Sequence, residues 1–366
     1  MSSLDSPIAA VSQRVERFVD EQRDAVAGFG DEAAAFVASG ADAVTGGKRL
    51  RARFCLAGWR AVRAFDGKPE GDLPDAVVAA AAALEIFHAA ALVHDDIIDN
   101  SDTRRGAPSA HRAWERRHHT AGWAGDADAF GRSAAVLLGD LLVAWSDDLL
   151  EEGLRTGIDQ TLAAAARREY ARMRREVTIG QFLDVAEESA YRVVDASTHA
   201  NRALRIASLK SARYSVQHPL LLGAALAGAD KAQYDALSGF GHPVGIAFQL
   251  RDDVLGVFGD AAATGKPVGD DLREGKRTLL VAYTRERLSA GPLRAFDELL
   301  GDPELTAEQV GFLQQTIVET GALERVEAHI AAEAADADRH LRGAALGHAS
   351  VSELRDLARA ATTRTA

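Results

Sequence analysis

Apolar residues recur at helical spacing along nearly the whole chain, so the pattern predicts an all-α protein. Val11, Val15, Phe18 and Val19 give residues 8–39 an apolar face, and Gly40 is the expected stop. Pro74 is expected at the first position of a long helix running through Ala89-Ala90-Ala91-Leu92-Val93. From Gly106 to about residue 132, Pro108, Gly122, Gly125 and Gly131 predict a loop with short helical pieces. Ser133 then caps a helix through Leu150, which Gly153 ends. Residues 159–189 form another, with Gln181 and Asp184 on one polar face among Ile179, Phe182 and Leu183. A helix over 198–228 carries Lys210 and Ser211 in its middle. A lysine beside a helix-weakening serine in an apolar run predicts a local break that turns Lys210 inward, and Pro219 predicts a second bend. Residues 238–258 are helical, and Gly259 to Thr278 is a charged, mobile flap. Three or four amphipathic helices follow over 278–361, and the last residues fray.

Length alone would allow two domains, since the chain has 366 residues. No Pro-, Ser- or Gly-rich linker divides it, so the expectation is a helical extension over 1–40 and a single all-α domain over 41–366. Aromatics are only 6% of the chain, which suits close-packed helices rich in alanine, valine and leucine. One cysteine, Cys55, excludes an internal disulfide and fits the reducing cytoplasm; its apolar setting makes it core. A net charge of -12 disfavours nucleic-acid binding. The most apolar stretch, 76–93, is interrupted by Glu85 and His88, so no membrane span is expected, and no signal peptide is visible.

The chemistry concentrates where the long helix ends, at His94-Asp95-Asp96-Ile97-Ile98-Asp99. Asp95 and Asp99 are four apart and share one helical face, with Asp96 on the flank. Three carboxylates on an apolar helix repel and desolvate one another unless a cation neutralises them. Oxygen-only ligands suit Mg²⁺, which keeps water and shares its shell with phosphate. Arg104 and Arg105, a turn or so later, are phosphate clamps in this reading. A related pattern recurs at Phe248-Gln249-Leu250-Arg251-Asp252-Asp253, so two such helices would form a metal-filled mouth. Upstream, Gly46 and Gly47 precede Lys48, Arg49 and Arg51, where backbone N–H groups, helix dipole and cations would receive an anion. His111, His118 and His119 have irregular spacing and no cysteine partners, so they are read as a solvated loop rather than a metal site.

Taken together these segments resemble the trans-prenyltransferase (polyprenyl diphosphate synthase) family, most of all its geranylgeranyl diphosphate synthases. The shared pattern is GGKRLR at 46–51, HDDIID at 94–99, TRRG at 103–106, GQFLD at 180–184, KS at 210–211, FQLRDD at 248–253 and GKPVGDDLREGK at 265–276. The resemblance implies the isoprenoid synthase fold, a helical bundle around a central cavity, and a homodimer. It implies Mg²⁺, three ions per site with Mn²⁺ as a substitute, held by Asp95, Asp96, Asp99 and Asp252. Isopentenyl diphosphate would be bound by Gly47, Lys48, Arg51, His88 and Arg105. An allylic diphosphate (dimethylallyl, geranyl or farnesyl) would be held by Arg104, Lys210, Ser211 (the family usually has threonine), Gln249, Lys266 and Lys276. The implied reaction is a head-to-tail 1'-4 condensation, with Asp95, Asp96, Asp99, Arg104, Lys210 and Asp252 as the catalytic set.

Two features qualify the resemblance. The second motif of the family reads DDxxD, but here position 256 is glycine, with Asp260 on the same face as the expected substitute. In the family, side chains four and five positions before the first aspartate form the floor of the product channel. Here these are Ala91 and Ala90, with Phe87 and Ile86 a turn deeper, so a twenty-carbon product is expected, with farnesyl or longer products as alternatives. A class I terpene cyclase would share the first motif but needs no isopentenyl site, so Lys48, Arg51 and Arg105 speak against it. A non-catalytic regulatory subunit would more naturally have lost its aspartates.

Overall fold

The computed structural model describes residues 5–67, 73–155, 157–260 and 268–362. Their regular structure is helical apart from one antiparallel hairpin, β1 (Thr103–Arg104) with β2 (Ala107–Pro108), in which Arg104 pairs with Ala107. They gather into two compact units, 1–59 with 70–165 and 60–69 with 166–366.

The first unit holds α1 (Asp5–Ala25), α2 (Asp31–Val44), most of α3 (Leu50–Phe65), α4 (Asp75–Ile98), the hairpin, α5 (Ala110–Ala121), α6 (Ala127–Arg155) and the start of α7 (Gln160–Ala190). α4 is its centre. Ala76 through Phe87 are all buried, and a helix apolar on every side has to lie inside. It is long and apolar enough to cross a membrane by length and composition, Glu85 and His88 notwithstanding, but 78% of its most apolar window is buried in the protein. α6 runs along it because Gly153 leaves room for the methyl group of Ala79. α1 and α2 also pack against α4.

Several boundaries differ from the pattern. Residues 8–39 are two helices, parted near Gly30, whose φ of +96° favours glycine. Gly40 is no stop. It lies inside α2, where a Cβ would meet the Trp145 ring at 2.8 Å. Pro74 is the N-cap of α4, one position earlier than expected. The stretch to residue 132, expected as a loop with short helical pieces, is mostly α5 and the first turns of α6, so Ser133 is not a cap. Its hydroxyl donates to the Ala129 carbonyl at 2.8 Å. Gly131 is helical because α5 comes close; a Cβ there would lie 3.0 Å from the Glu115 backbone nitrogen. His111 and His118 are buried on α5, not solvated, and His118 packs against Phe130 and Trp123.

The second unit carries the rest of α7, a 3₁₀ turn (Ala196–Thr198), α8 (His199–Ile206), a π-helical stretch (Ala207–Gln217), α9 (His218–Ala227) and α10 (Lys231–Phe258). After these come α11 (Asp270–Glu274), α12 (Leu279–Arg287), α13 (Ala290–Leu299), α14 (Ala307–Glu319), α15 (Ala322–Leu341) and α16 (His348–Thr362). α10 starts earlier than expected because Asp230 and Gln233 form a reciprocal capping box. Its Ile246, Leu250, Val254 and Val257 form one core with Leu272, Leu279, Phe296 and Val326. Arg251 grips Glu327 of α15 with two bonds of 2.6 Å, so the arginine of FQLRDD is structural. The C-terminal region has five helices rather than three or four, and the flap contains α11. Lys266 lies outside the described residues.

Candidate active site

The first aspartate motif is the last turn of α4. Asp99 caps the helix, its N–H donating to the Asp95 carbonyl at 2.8 Å, so Asp95 and Asp99 sit one turn apart and half-buried. Carboxylates here add to the negative end of the helix dipole, which deepens the demand for a cation. Asp96 behaves differently. It is 3% exposed, and Arg104 Nε donates to its Oδ1 at 2.8 Å, with Nη2 on the same oxygen. Burial raises its pKa, against the pull of Arg104. The middle aspartate thus faces the hairpin and holds Arg104 in place.

Two arginines that the sequence did not single out fix the end of this helix. Arg132 of α6 donates to Asp128 at 3.0 Å and reaches the Ile97 carbonyl and the Asn100 side chain. Arg112 of α5 ties Asp102 (2.6 Å), Glu115 and Asp128 (both 2.9 Å) together. His94 lies over Gly139, where a Cβ would collide with its ring, and its Nε2 is 3.3 Å from the Val136 carbonyl oxygen.

The anion side is built around the start of α3. Gly46 and Gly47 have φ of +75° and +86°, a conformation that L side chains avoid. Arg105 lies flat on that turn: its Nη1 donates to the Thr45 carbonyl at 2.7 Å, and a Cβ at Gly47 would be 2.9 Å from Nη2. α3 opens with Arg51 and Arg53 and no acid in its first turn, so cations stand at the positive end of a dipole. Glu85 of α4 explains the buried acid in the apolar run. Its Oε1 accepts from the Ala52 N–H at 2.9 Å, capping α3, and Oε2 is 3.7 Å from Arg49. His88, one turn on, is held well below its usual pKa by burial and by the charges of Arg51, Arg105, Arg104 and Arg49. The structure therefore brings Gly47, Arg51, His88 and Arg105 together, with Lys48 exposed on the same turn.

Phe87, Ala91 and Asp95 follow at four-residue steps on one row of α4. Ala90 and Ile86 are 0% exposed and Phe87 is 6% exposed, whereas Ala91 is only partly buried.

In the second unit the expected break at Lys210 is the eleven-residue π-helical stretch. Two glycines let it pack: a Cβ at Gly180 would lie 2.7 Å from the Leu209 carbonyl carbon, and one at Gly245 would lie 2.6 Å from the Ala212 Cα. Lys210 Nζ reaches Asp184 at 2.6 Å, so the KS and GQFLD segments meet as partners. Ser211 is partly buried beside it. On α10, Asp252 is half-buried, while Asp253 is 7% exposed and accepts from Gln249 Nε2 at 2.6 Å. Burial and the charge of Asp271 push Asp253 up to about 8. Lys276 sits 3.3 Å from Asp271 and 2.6 Å from Glu274.

The donors of both motifs are all oxygens, a set that fits magnesium. Among the described residues, no group of three or more His, Cys, Asp or Glu side chains is gathered closely enough to hold a metal ion by itself. Magnesium bound here would have to complete its shell with water and phosphate oxygens.

The polyprenyl synthetase family model matches residues 36–317. A geranylfarnesyl diphosphate synthase of Aeropyrum pernix is 30% identical over 282 residues, which is 77% of this chain and 79% of that protein. A geranylgeranyl diphosphate synthase of Mycobacterium tuberculosis is 37% identical over 222 residues, 60% of this chain and 55% of that one. Among solved structures, a geranylgeranyl pyrophosphate synthase of Corynebacterium glutamicum, complexed with isoprenyl diphosphate and magnesium, is 38% identical. That match covers 100% of both chains with a TM-score of 0.92. Fold and matches define an all-α prenyltransferase with the isoprenoid synthase architecture. The chain belongs to the polyprenyl synthetase family, and its chemistry is trans-prenyl transfer.

Proposed function

We propose that this prenyltransferase condenses isopentenyl diphosphate head-to-tail with an allylic diphosphate in a magnesium-dependent reaction, giving geranylgeranyl diphosphate. The observation that carries this reading is the anion-receiving turn at the start of α3, where Gly47, Arg51, His88 and Arg105 meet. A cyclase acting on one diphosphate has no use for it. The names of the relatives point the same way, as does the isoprenyl diphosphate and magnesium held by the Corynebacterium protein.

In this reading Lys48, Arg51, His88 and Arg105 hold the diphosphate of isopentenyl diphosphate. A neutral His88 offers one N–H there and adds no charge of its own to the guanidinium groups around it. By family resemblance Asp95, Asp99 and Asp252 are assigned to magnesium, which would neutralise negative charge growing on the departing diphosphate. Arg104, aimed by Asp96, adds a fixed cation to the allylic diphosphate. In the second unit Lys210, Ser211, Gln249, Lys266 and Lys276 are assigned to that substrate on family resemblance. The alkene of isopentenyl diphosphate then attacks the allylic cation, and the adjacent carbon loses a proton to the released diphosphate. No nucleophilic side chain is required.

Small side chains at Ala90 and Ala91, with Phe87 a turn deeper, favour a twenty-carbon product. A homodimer in the cytoplasm completes the reading; Leu137 on α6 and Phe182 on α7 are 61% and 68% exposed, as residues awaiting a subunit partner would be.

The test is incubation of the purified protein with Mg²⁺, isopentenyl diphosphate and each allylic starter, followed by product chain-length analysis. Twenty-carbon diphosphate is the expected product, and Ala90→Phe should shorten it. Diphosphate release from an allylic substrate alone, without condensation, would replace this reading by a cyclase.

A further inference from the structure

We propose that His218, the first residue of α9, is a positioning residue for the reaction: held between two glutamates of α7, it fixes the π-helical stretch in the register that presents Lys210 to the allylic diphosphate. The role presupposes the reading of Lys210 as a cation for that diphosphate. His218 is 3% exposed, and both of its ring nitrogens face carboxylate oxygens. Nδ1 stands 2.6 Å from Glu169 Oε1, and Nε2 stands 3.0 Å from Glu176 Oε2. A neutral imidazole has one N–H to give and a carboxylate has none, so two such hydrogen bonds need one proton more than the neutral ring carries. Glu169 is 5% exposed, and its other oxygen accepts from the Tyr234 hydroxyl of α10 at 2.7 Å. Glu176 Oε2 accepts from Arg213 Nη1 as well, also at 3.0 Å. Against its burial, Arg213 and His218 hold the Glu176 carboxyl below its usual pKa, so it remains an acceptor for both.

The place of His218 in the chain gives this anchorage its consequence. Its backbone N–H donates to the Arg213 carbonyl, five residues back, as the π register requires. Pro219 follows with no N–H to carry that register further. The side chains of the same two residues meet on one oxygen of Glu176, so the end of the π-helical stretch is tied to α7. Lys210 is tied to α7 as well, through Asp184. From the other side α10 holds the stretch near both ends: Ser208 Oγ is 2.8 Å from His242 Nε2, and Gln217 Nε2 donates to the Ser238 hydroxyl at 2.9 Å. A π turn carries one more residue between bonded partners than an α turn. Relaxation of the stretch to α would therefore rotate Lys210 about the helix axis relative to His218. A misplacement of about 1 Å is enough to cost on the order of a hundredfold in rate.

The test compares His218→Gln, Lys210→Ala and the double variant, in steady-state kinetics with farnesyl diphosphate and isopentenyl diphosphate below the melting temperature of every variant. The glutamine amide has a single nitrogen and cannot span both carboxylates. His218→Gln should raise KM for farnesyl diphosphate about tenfold and leave KM for isopentenyl diphosphate within about twofold. The double variant should be no worse than Lys210→Ala alone, because both changes remove the same contact. A merely structural histidine would lower kcat through the folded fraction, leave both KM values in place and add its effect to that of Lys210→Ala. An unchanged KM for farnesyl diphosphate, or effects that multiply in the double variant, would overturn the proposal. Glu169→Gln, which keeps the shape and the Tyr234 contact, carries the same comparison should His218→Gln not fold. If Lys210→Ala itself leaves KM for farnesyl diphosphate unchanged, the reading of Lys210 is wrong; if it raises that KM while His218→Gln does not, only the role of His218 falls.

Discussion

The two aspartate motifs solve one problem in different ways. In each, the second aspartate turns inward: Asp96 is 3% exposed and Asp253 is 7% exposed. Asp96 meets a guanidinium, whereas Asp253 meets the neutral amide of Gln249. Burial raises both carboxyls, but Arg104 pulls against it at Asp96, whereas Asp253, beside an amide and other acids, is pushed up to about 8. The motifs also differ in their third member. The first keeps Asp99 on its own helix, and the second has Gly256 with a carboxylate from α11 lying across it.

The comparison can be broken at several points. The largest effect expected is on activity from Asp95→Ala, a loss of about a thousandfold in kcat/KM or about 4 kcal/mol, read by steady-state kinetics. Undiminished turnover would remove the first motif from the chemistry. Next comes stability. Arg104→Ala leaves Asp96 buried without its cation and should cost about 3 kcal/mol in denaturant unfolding. Gln249→Ala should cost only about 1 kcal/mol by the same measurement, because its partner Asp253 can take up a proton. Equal costs would erase the distinction drawn between the two inward aspartates.

The smallest effect is on the pH profile. The folded-state pKa of His88 is depressed below 6.5, so below that value the unfolded chain binds a proton that the folded one resists. Stability from this group is complete above about pH 6.5 and declines as the pH falls. His88→Gln should flatten that decline in melting temperatures measured between pH 7 and pH 5. An unchanged slope would mean that His88 is not held neutral by its neighbours.

Much of the site can be read directly from the chain. Asp95 and Asp99 share a face because four residues make about one turn. The doubled glycines at 46 and 47 announce a left-handed turn before cations, and a lysine inside an apolar helix announces the irregularity that is the π-helical stretch. Local spacing is enough for such features. It misleads where a close neighbour changes the meaning of a residue. Gly40 and Gly131 look like helix breakers but serve as contact points for Trp145 and for α5. His111 and His118 look solvated and are buried.

What the sequence by itself determined was the all-helical class, the family, and the acidic and basic segments from which the proposed site is built, because periodicity and motif spacing are local properties of a chain. What only the tertiary structure decided was the partnering of charges: Glu85 capping α3 beside Arg49, Arg104 committed to Asp96, Lys210 to Asp184, and Asp271 seated on Gly256. Those pairs join residues up to 36 positions apart. Burial and packing choose such partners, and neither can be read from spacing along one strand of sequence.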